Sequence, residues 1–353
     1  MTSATSPIGL VKEVHGRLLQ ASDNDYYLPA DQDEHSRLDM QHRALKLTMN
    51  SLYAQREQVK ETLSRKDRRT ALLDVGTGSG IWAIEMAEEF PNTNVTGIDI
   101  APPDVLSRPS TVLPSNCVLK VADGTTEIKK YHEAFDIIHF RSAHLGMPNL
   151  ARILLEDSAN ALIPGGLLQI AHCVPVVLKD DLSAYPVTDE GQPGFTFYPR
   201  AFNRVLQAHF KKARVKVEPS SSWHKWLEQS PSFERVTTEE VLVPLGRNVK
   251  PLSDTERRIR NLYSKNMANV IAAFGPLLLE DGLDDDTLTT WVQGVKNELG
   301  EEGSVVGYMG WRFTTATRTI TPVEPLGSEP EVDLTRQTYD LYLNRKAGEY
   351  FPK

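Results

Sequence analysis

Cysteine is nearly absent: Cys117 and Cys173 are the only two in 353 residues, each inside an apolar, strand-like run. No CxxC pair occurs, so nothing suggests a zinc or other metal site, and both thiols read as small core residues. Basic charge is also short, with 39 Lys and Arg against 47 Asp and Glu, a net −8. That balance argues against nucleic acid as a partner, because phosphate binding needs concentrated Lys and Arg. The local basic clusters, Arg65, Lys66, Arg68, Arg69 and Arg257, Arg258, Arg260, read as solvated helix faces. No run approaches the roughly 20 apolar residues of a membrane span. Residues 1–10 lack the basic-then-apolar pattern of a signal peptide. No internal repeat is present. The expected location is cytoplasmic, with no membrane association.

What is present is ordinary globular composition, 40% hydrophobic and 24% charged, arranged in an alternating rhythm. Ala71–Val75 reads as a buried strand, and Ile81–Phe90 as a helix that starts directly after a glycine turn. Val95–Ile100 is the next strand, containing Asp99 near its end, and Cys117–Val121 and Phe135–Phe140 are two more. Leu150–Leu162 has helical periodicity and stops at Pro164, Gly165 and Gly166, before a fifth strand at Leu167–Val174. Such alternation predicts a doubly wound α/β fold with a parallel sheet and helices on both faces.

After Pro175 the rhythm breaks. Residues 175–232 combine scattered prolines with Phe195, Phe197, Tyr198, Trp223 and Trp226, which predicts an aromatic insertion folding over the sheet edge. Val236–Leu245 reads as a sixth strand and Val305–Thr314 as the last. Between them, helices are expected at Asp254–Leu279 and Asp286–Leu299, capped by Asp254 and Asp286. From Thr321 a Pro/Gly linker leads to a short segment whose Leu334, Leu341 and Tyr342 form one apolar face. It is expected to dock on the body or on a second copy, making a homodimer possible. The units expected are an N-terminal helical lid (1–70), a cofactor-binding core (71–174), a substrate-capping insertion (175–232), the completion of the sheet (233–320) and the linker with its docking helix (321–353).

The strongest chemical signal is Leu72-Leu73-Asp74-Val75-Gly76-Thr77-Gly78-Ser79-Gly80-Ile81-Trp82. A strand enters a helix through alternate glycines, which tolerate positive φ and let a ligand approach the backbone. The N–H groups of the new helix then face an electron-rich ligand at the carboxyl edge of the sheet. Asp99 ends the second strand, where an acid can read ribose hydroxyls, and Asp123-Gly124 follows the third, where a carboxylate can accept from an adenine amine. The end of the strand at Phe135–Phe140 brings Arg141 to the same edge. The third glycine comes one residue earlier than in G-x-G-x-x-G, and bulky Ile81 and Trp82 follow it. This spacing disfavours a nicotinamide cofactor.

The stretch DVGTGSGIWAIEMAEEFPNTNVTGIDIAP resembles class I S-adenosylmethionine-dependent methyltransferases, most closely their fungal LaeA-like branch. The run Tyr26–His42 is similar to that branch's second signature, and the likeness covers residues 26 to about 174. The resemblance implies a Rossmann-like methyltransferase sheet and S-adenosyl-L-methionine as cofactor. It places Gly76, Gly78 and Gly80 on the methionine and ribose moieties, Asp99 with neighbouring Ile100 on the ribose, and Asp123 with Gly124 on adenine. Asp74 would support the loop or meet the amino group. Where the branch usually has D-L-S-P, this chain has Asp99-Ile100-Ala101-Pro102, and Arg141-Ser142-Ala143-His144 replaces a common arginine-plus-polar continuation.

Asp33 is expected to cap a helix with Leu38, His42, Leu45 and Met49 on one stripe and Glu34, Arg37 and Gln41 on the next. Arg37 and Glu34 form a surface pair in one reading. In the other, Arg37 with Gln41 or His42 meets the cofactor's carboxylate, and its loss weakens cofactor binding while leaving stability intact. Methyl transfer to a hydroxyl gains from a base, and His144 and His172 are the candidates by position. Each reads first as a satisfied structural histidine, because nothing local pairs it with an acid. The function expected is methylation of a small-molecule acceptor, at a hydroxyl or carboxyl oxygen, in fungal specialised metabolism. The alternative is a regulator that keeps the fold and acts through protein partners.

Overall fold

The computed structural model describes residues 10–21, 26–103, 112–212, 220–247 and 252–327. The tail face of Leu334, Leu341 and Tyr342 lies outside these residues. A hairpin of β1 (Val11–Val14) and β2 (Arg17–Gln20) turns through His15 and Gly16, both at positive φ. It leads into helices α1 (Gln32–Met49) and α2 (Arg56–Leu63), so the segment 1–70, expected to be a helical lid, is not purely helical among its described residues. The core then alternates β3 (Thr70–Val75), α3 (Ile81–Glu89), β4 (Thr93–Asp99), β5 (Cys117–Val121), α4 (Gly124–Glu127) and β6 (Phe135–Arg141). A helical run follows as α5 (Leu150–Arg152), a π-helical segment Ile153–Asp157 and α6 (Ser158–Ala161), before β7 (Leu162–Lys179). The remainder is α7 (Phe197–Lys212), α8 (Ser220–Gln229), β8 (Phe233–Gly246), α9 (Asp254–Ala273), α10 (Gly275–Glu280), α11 (Asp285–Glu298) and β9 (Val306–Arg318).

Seven strands form one sheet in the order β5-β4-β3-β6-β7-β9-β8. The first five are mutually parallel, and β9 runs antiparallel to both of its neighbours. The chain starts the sheet at β3 and winds outward to either side, so the strand order reverses between β3 and β6. Ligands of doubly wound sheets bind in the crevice at such a reversal.

β7 does not stop at Val174. It passes through Pro175 to Lys179, and its pairing with β9 slips between Cys173 and Val177. A proline without an N–H is accommodated at this irregularity. The aromatics of 175–232 do not gather over one edge. Tyr198 and Phe202 pack with α1 and α9 on one face, while Trp223 and Trp226 pack under β6 and β7 on the other.

Three helix caps fall earlier than expected. Asp31, not Asp33, caps α1 by accepting from the Glu34 amide at 3.1 Å. Ser253, not Asp254, caps α9 in a capping box with Glu256, and Asp284, not Asp286, caps α11. The cap must be the last non-helical residue, whose side chain can reach back to a first-turn amide. The acids after it sit in the first turn, where the helix dipole favours them. Arg260 also departs from a solvated face: it is buried and donates to the Leu245 and Arg247 carbonyls at 2.6 and 3.1 Å. Among the described residues no helix is long and apolar enough to cross a membrane.

Candidate functional site

The turn after β3 is built by its glycines and by the end of β4. Gly76, Gly78 and Gly80 adopt φ of +74°, +59° and +87°. At Gly78 a side chain is blocked twice, by the positive φ and by Leu38 Cδ1, 2.9 Å from where a Cβ would stand. The Gly76 and Thr77 amides donate to the Ile98 carbonyl, both at 2.9 Å. Asp99 clamps the loop from β4, its Oδ2 accepting from the Gly78 amide at 2.7 Å and its Oδ1 from Ala101 at 3.0 Å. Burial pushes the Asp99 carboxyl above its ordinary range, against the pull of those two amides.

Asp74 lies beneath the turn. Its Oδ2 accepts from the Thr77 hydroxyl at 2.7 Å, and its Oδ1 lies 2.7 Å from His139 Nδ1. His139 in turn stacks on Trp82, ring centroids 3.7 Å apart, and Trp82 Nε1 donates to the Leu52 carbonyl at 2.8 Å. The four side chains brace the glycine turn from inside, with Asp74 engaged in loop support.

Above the turn a cleft of about 880 Å³, its open mouth included, is lined by Gly76, Thr77, Gly78, Ser79, Asp99, Ile100, Asp123, Gly124 and Arg141, with Arg37, Leu38 and Gln41 of α1 as its roof. Of the residues expected to hold cofactor, Asp74 and Gly80 are not in its lining, and neither is His42, the alternative to Gln41. Asp123 caps α4 with Oδ1, which accepts from the Thr125 amide and hydroxyl at 2.8 and 2.7 Å. Tyr26 and Met147 close the far wall. Tyr26 lies in the run that carried the family resemblance but was not singled out, because an isolated aromatic gives no signal of what it faces.

The two arginines of the cleft differ. Arg37 is 5% exposed and is held by Glu34 through Nε at 2.8 Å and Nη2 at 2.6 Å. Its Nη1 donates to Gln41 Oε1 at 3.1 Å and to Asn266 Oδ1 of α9 at 2.8 Å. Four of its five N–H donors are thereby committed, in a buried pair rather than a surface one. Arg141 has far fewer partners: Nη1 lies 3.2 Å from His42 Nδ1, and burial pulls its guanidinium below the usual value. An arginine only donates, so His42 Nδ1 accepts and its Nε2–H points to Glu85 Oε2 at 3.1 Å. Lys46 reaches the same oxygen at 2.6 Å. Burial alone would raise the Glu85 carboxyl, yet the hydrogen bonds from His42 and Lys46 hold it down at about 2.

His144 and His172 stand outside the cleft lining but next to it. His144 is on a 3-10 turn, Ala143–Gly146, whose Ala143 and Gly146 face the cleft. His172 is on β7, one residue beyond the Arg141–Ala171 pairing. Their ring centroids are 6.3 Å apart, with Trp223 packed against both. Burial, then His209, pushes His144 down to about 4, and burial with His144 pushes His172 well below its ordinary value. Neither has a carboxylate partner among the described residues. No group of three or more His, Cys, Asp or Glu among the described residues is placed to hold a metal.

A protein family described as a methyltransferase domain matches residues 44–230. A secondary metabolism regulator laeA of Coprinopsis cinerea is 26% identical over 74% of this chain, which spans 62% of that protein's length. The methyltransferase pytC of Aspergillus terreus is 28% identical over 84% of this chain and 85% of its own. Among solved structures, a phosphoethanolamine N-methyltransferase 2 of Haemonchus contortus in complex with S-adenosyl-L-methionine aligns with 74% of this chain and 51% of its own, at 14% identity and a TM-score of 0.41.

Proposed function

The chain belongs to this methyltransferase-domain family, and we propose that it moves a methyl group from S-adenosyl-L-methionine to an oxygen, hydroxyl or carboxyl, of a small molecule of fungal specialised metabolism. The observation that carries the proposal is the cleft itself, where the Gly76–Ser79 backbone, two strand-end acids and a sparsely partnered arginine converge. Those groups fit the cofactor's parts. Asp99 takes the ribose diol with Ile100 alongside, while Asp123 and the Gly124 backbone take adenine. Among the described residues Asp123 Oδ2 accepts no hydrogen bond, which leaves it for the exocyclic amine.

The carboxylate of the methionine moiety finds Arg141, whose free donors exceed those left on Arg37. When bound, the cofactor supplies a methyl group already activated on a sulfonium. The protein's work is therefore to position the acceptor in line and to exclude water. The α1 roof, with Leu38 against Gly78, does the second. Burial pushes the His144 imidazole down to about 4, so it is a weak proton acceptor, and the main effect falls to positioning.

The relatives named as regulators favour a second reading, action through protein partners. The pytC alignment, extending over 85% of that methyltransferase, supports the enzyme. The deciding experiment is a screen with methyl-labelled S-adenosylmethionine against hydroxyl, carboxyl, thiol and amine acceptors. Label transferred to oxygen acceptors is expected. A folded protein that binds NAD in preference to S-adenosylmethionine would overturn the proposal.

A further inference from the structure

Beside the cofactor cleft, past the carboxyl end of β6 and midway along β7, lies a cluster of rings with unspent polar atoms. His172 is 1% exposed, and neither ring nitrogen has a hydrogen-bond partner among the described residues. The indole Nε1 of Trp223, on a side chain also 1% exposed, is likewise without one. The His172 and Trp223 rings meet edge to face at 4.4 Å, and His144 stands 5.2 Å from the same indole. The Ser142 amide donates to the Ala171 carbonyl at 2.9 Å, which seats the His144 turn against β7 next to His172. That turn shares Ala143 and Gly146 with the cofactor cleft. Buried polar atoms are almost always paired, and several orphans in one place mark a site that something else completes.

We propose that His144, His172 and Trp223 form the acceptor subsite and that it takes an uncharged aromatic hydroxyl, a phenol or an enol conjugated to a ring. This rests on the methyltransferase reading and narrows its acceptor. A neutral imidazole offers one acceptor and one donor, the complement of a hydroxyl's one proton and two lone pairs. A carboxylate here would need several donors or a cation to offset its desolvation. Arg312, opposite His172 on β9, is already bound to Glu240 at 2.7 Å. Burial lowers the proton affinity of both histidines and keeps them neutral and able to accept. As the oxygen gains the methyl carbon and the sulfonium C–S bond breaks to a thioether, the hydroxyl proton passes to the imidazole that accepts its hydrogen bond and on to water. Three rings meeting at steep angles favour an aromatic plane over a flexible chain.

The test uses the full chain with ¹⁵N-labelled histidine, titrated with phenol and, as the charged counterpart, with benzoate, each with and without S-adenosylhomocysteine. Phenol is expected to shift the ring-nitrogen resonances of His144 and His172 and to bind roughly tenfold or more tightly than benzoate. His172→Phe, which keeps a ring and loses both nitrogens, is expected to weaken phenol roughly tenfold and to leave S-adenosylhomocysteine affinity unchanged. Should that variant not fold, His144→Gln on the turn gives the same readout. Phenol that shifts neither histidine would overturn the subsite and leave two hydrated structural histidines. Benzoate binding more tightly than phenol would overturn the neutral class. Shifts by phenol in a protein that does not bind S-adenosylhomocysteine would instead count against the methyltransferase reading alone.

Discussion

Asp99 and Arg37 show why an acidic or basic residue near a ligand cannot be read by charge alone. Asp99 uses one lone pair of each oxygen to hold Gly78 and Ala101, and the others are open to the ribose hydroxyls proposed to bind there. Asp99→Ala is expected to weaken S-adenosylhomocysteine roughly ten- to a hundredfold, the loss of ~1.5–3 kcal/mol of charge-assisted hydrogen bonding. Calorimetry on the folded variant checks it, and unchanged affinity would remove Asp99 from the site. If Arg37 meets the cofactor's carboxylate, its loss was expected to leave stability intact. Its burial against Glu34 and Asn266 instead favours a cost in stability. Arg37→Ala leaves a buried carboxylate uncompensated, which costs ~3–5 kcal/mol. A urea-unfolding midpoint within error of the parent would show that water reaches Glu34 readily.

At the scale of the element, α1 supplies Arg37, Leu38 and Gln41 to the cleft proposed to hold the cofactor. It is fastened at its start by Asp31, which caps the helix and pairs with Arg17 at 2.7 Å, while Arg17 also reaches the Ala272 carbonyl of α9 at 3.2 Å. Further along, His42 bridges Arg141 of β6 to Glu85 of α3. The roof is thus tied to both the sheet and the helix that follows the glycine turn. Asp31→Ala is expected to destabilise by ~1–2 kcal/mol through the lost cap and to weaken cofactor by letting Leu38 drift from Gly78. Thermal denaturation and calorimetry together test this. Lower stability with unchanged cofactor affinity would mean that α1 keeps its place without its cap.

For the whole molecule, the buried histidines set the response to acid. Burial pushes His42, His139, His144 and His172 below the ordinary value. The unfolded chain binds protons at these sites from about pH 6.5 downward, while the folded one resists. Stability therefore rises with pH up to that point and is lost as pH falls below it. The melting temperature should drop between about pH 7 and 5.5, before the carboxylates titrate, and His172→Phe should shallow the drop. A flat profile over that interval would contradict it. The start of the C-terminal segment also contributes: Val323 and Leu326 pack on the core, and the Leu326 amide donates to Glu156 at 3.1 Å. Ending the chain at Ile320 should lower stability by ~1–2 kcal/mol of lost burial, and ending it at Gly327 should not. Equal melting temperatures for the two truncations would show those contacts to be idle.

The glycine turn, the two acids after successive strands and the alternation from Ala71 to Val174 were legible in the sequence because they are local. A strand entering a helix through alternate glycines needs those residues wherever it occurs, and strand-end acids fall at spacings set by the βαβ repeat. The order β5-β4-β3-β6-β7-β9-β8, with its one reversed strand, was not legible, since pairing partners leave no mark on either strand. Nor was the bracing of Asp74 by His139, 65 residues on, or of Arg37 by Asn266, 229 residues on. The aromatics of 175–232 announced burial but not the face they would cover, because hydrophobicity has no direction. Local chemistry belongs to the sequence. Which charges are spent on the fold and which remain for a ligand was decided only when distant segments packed together.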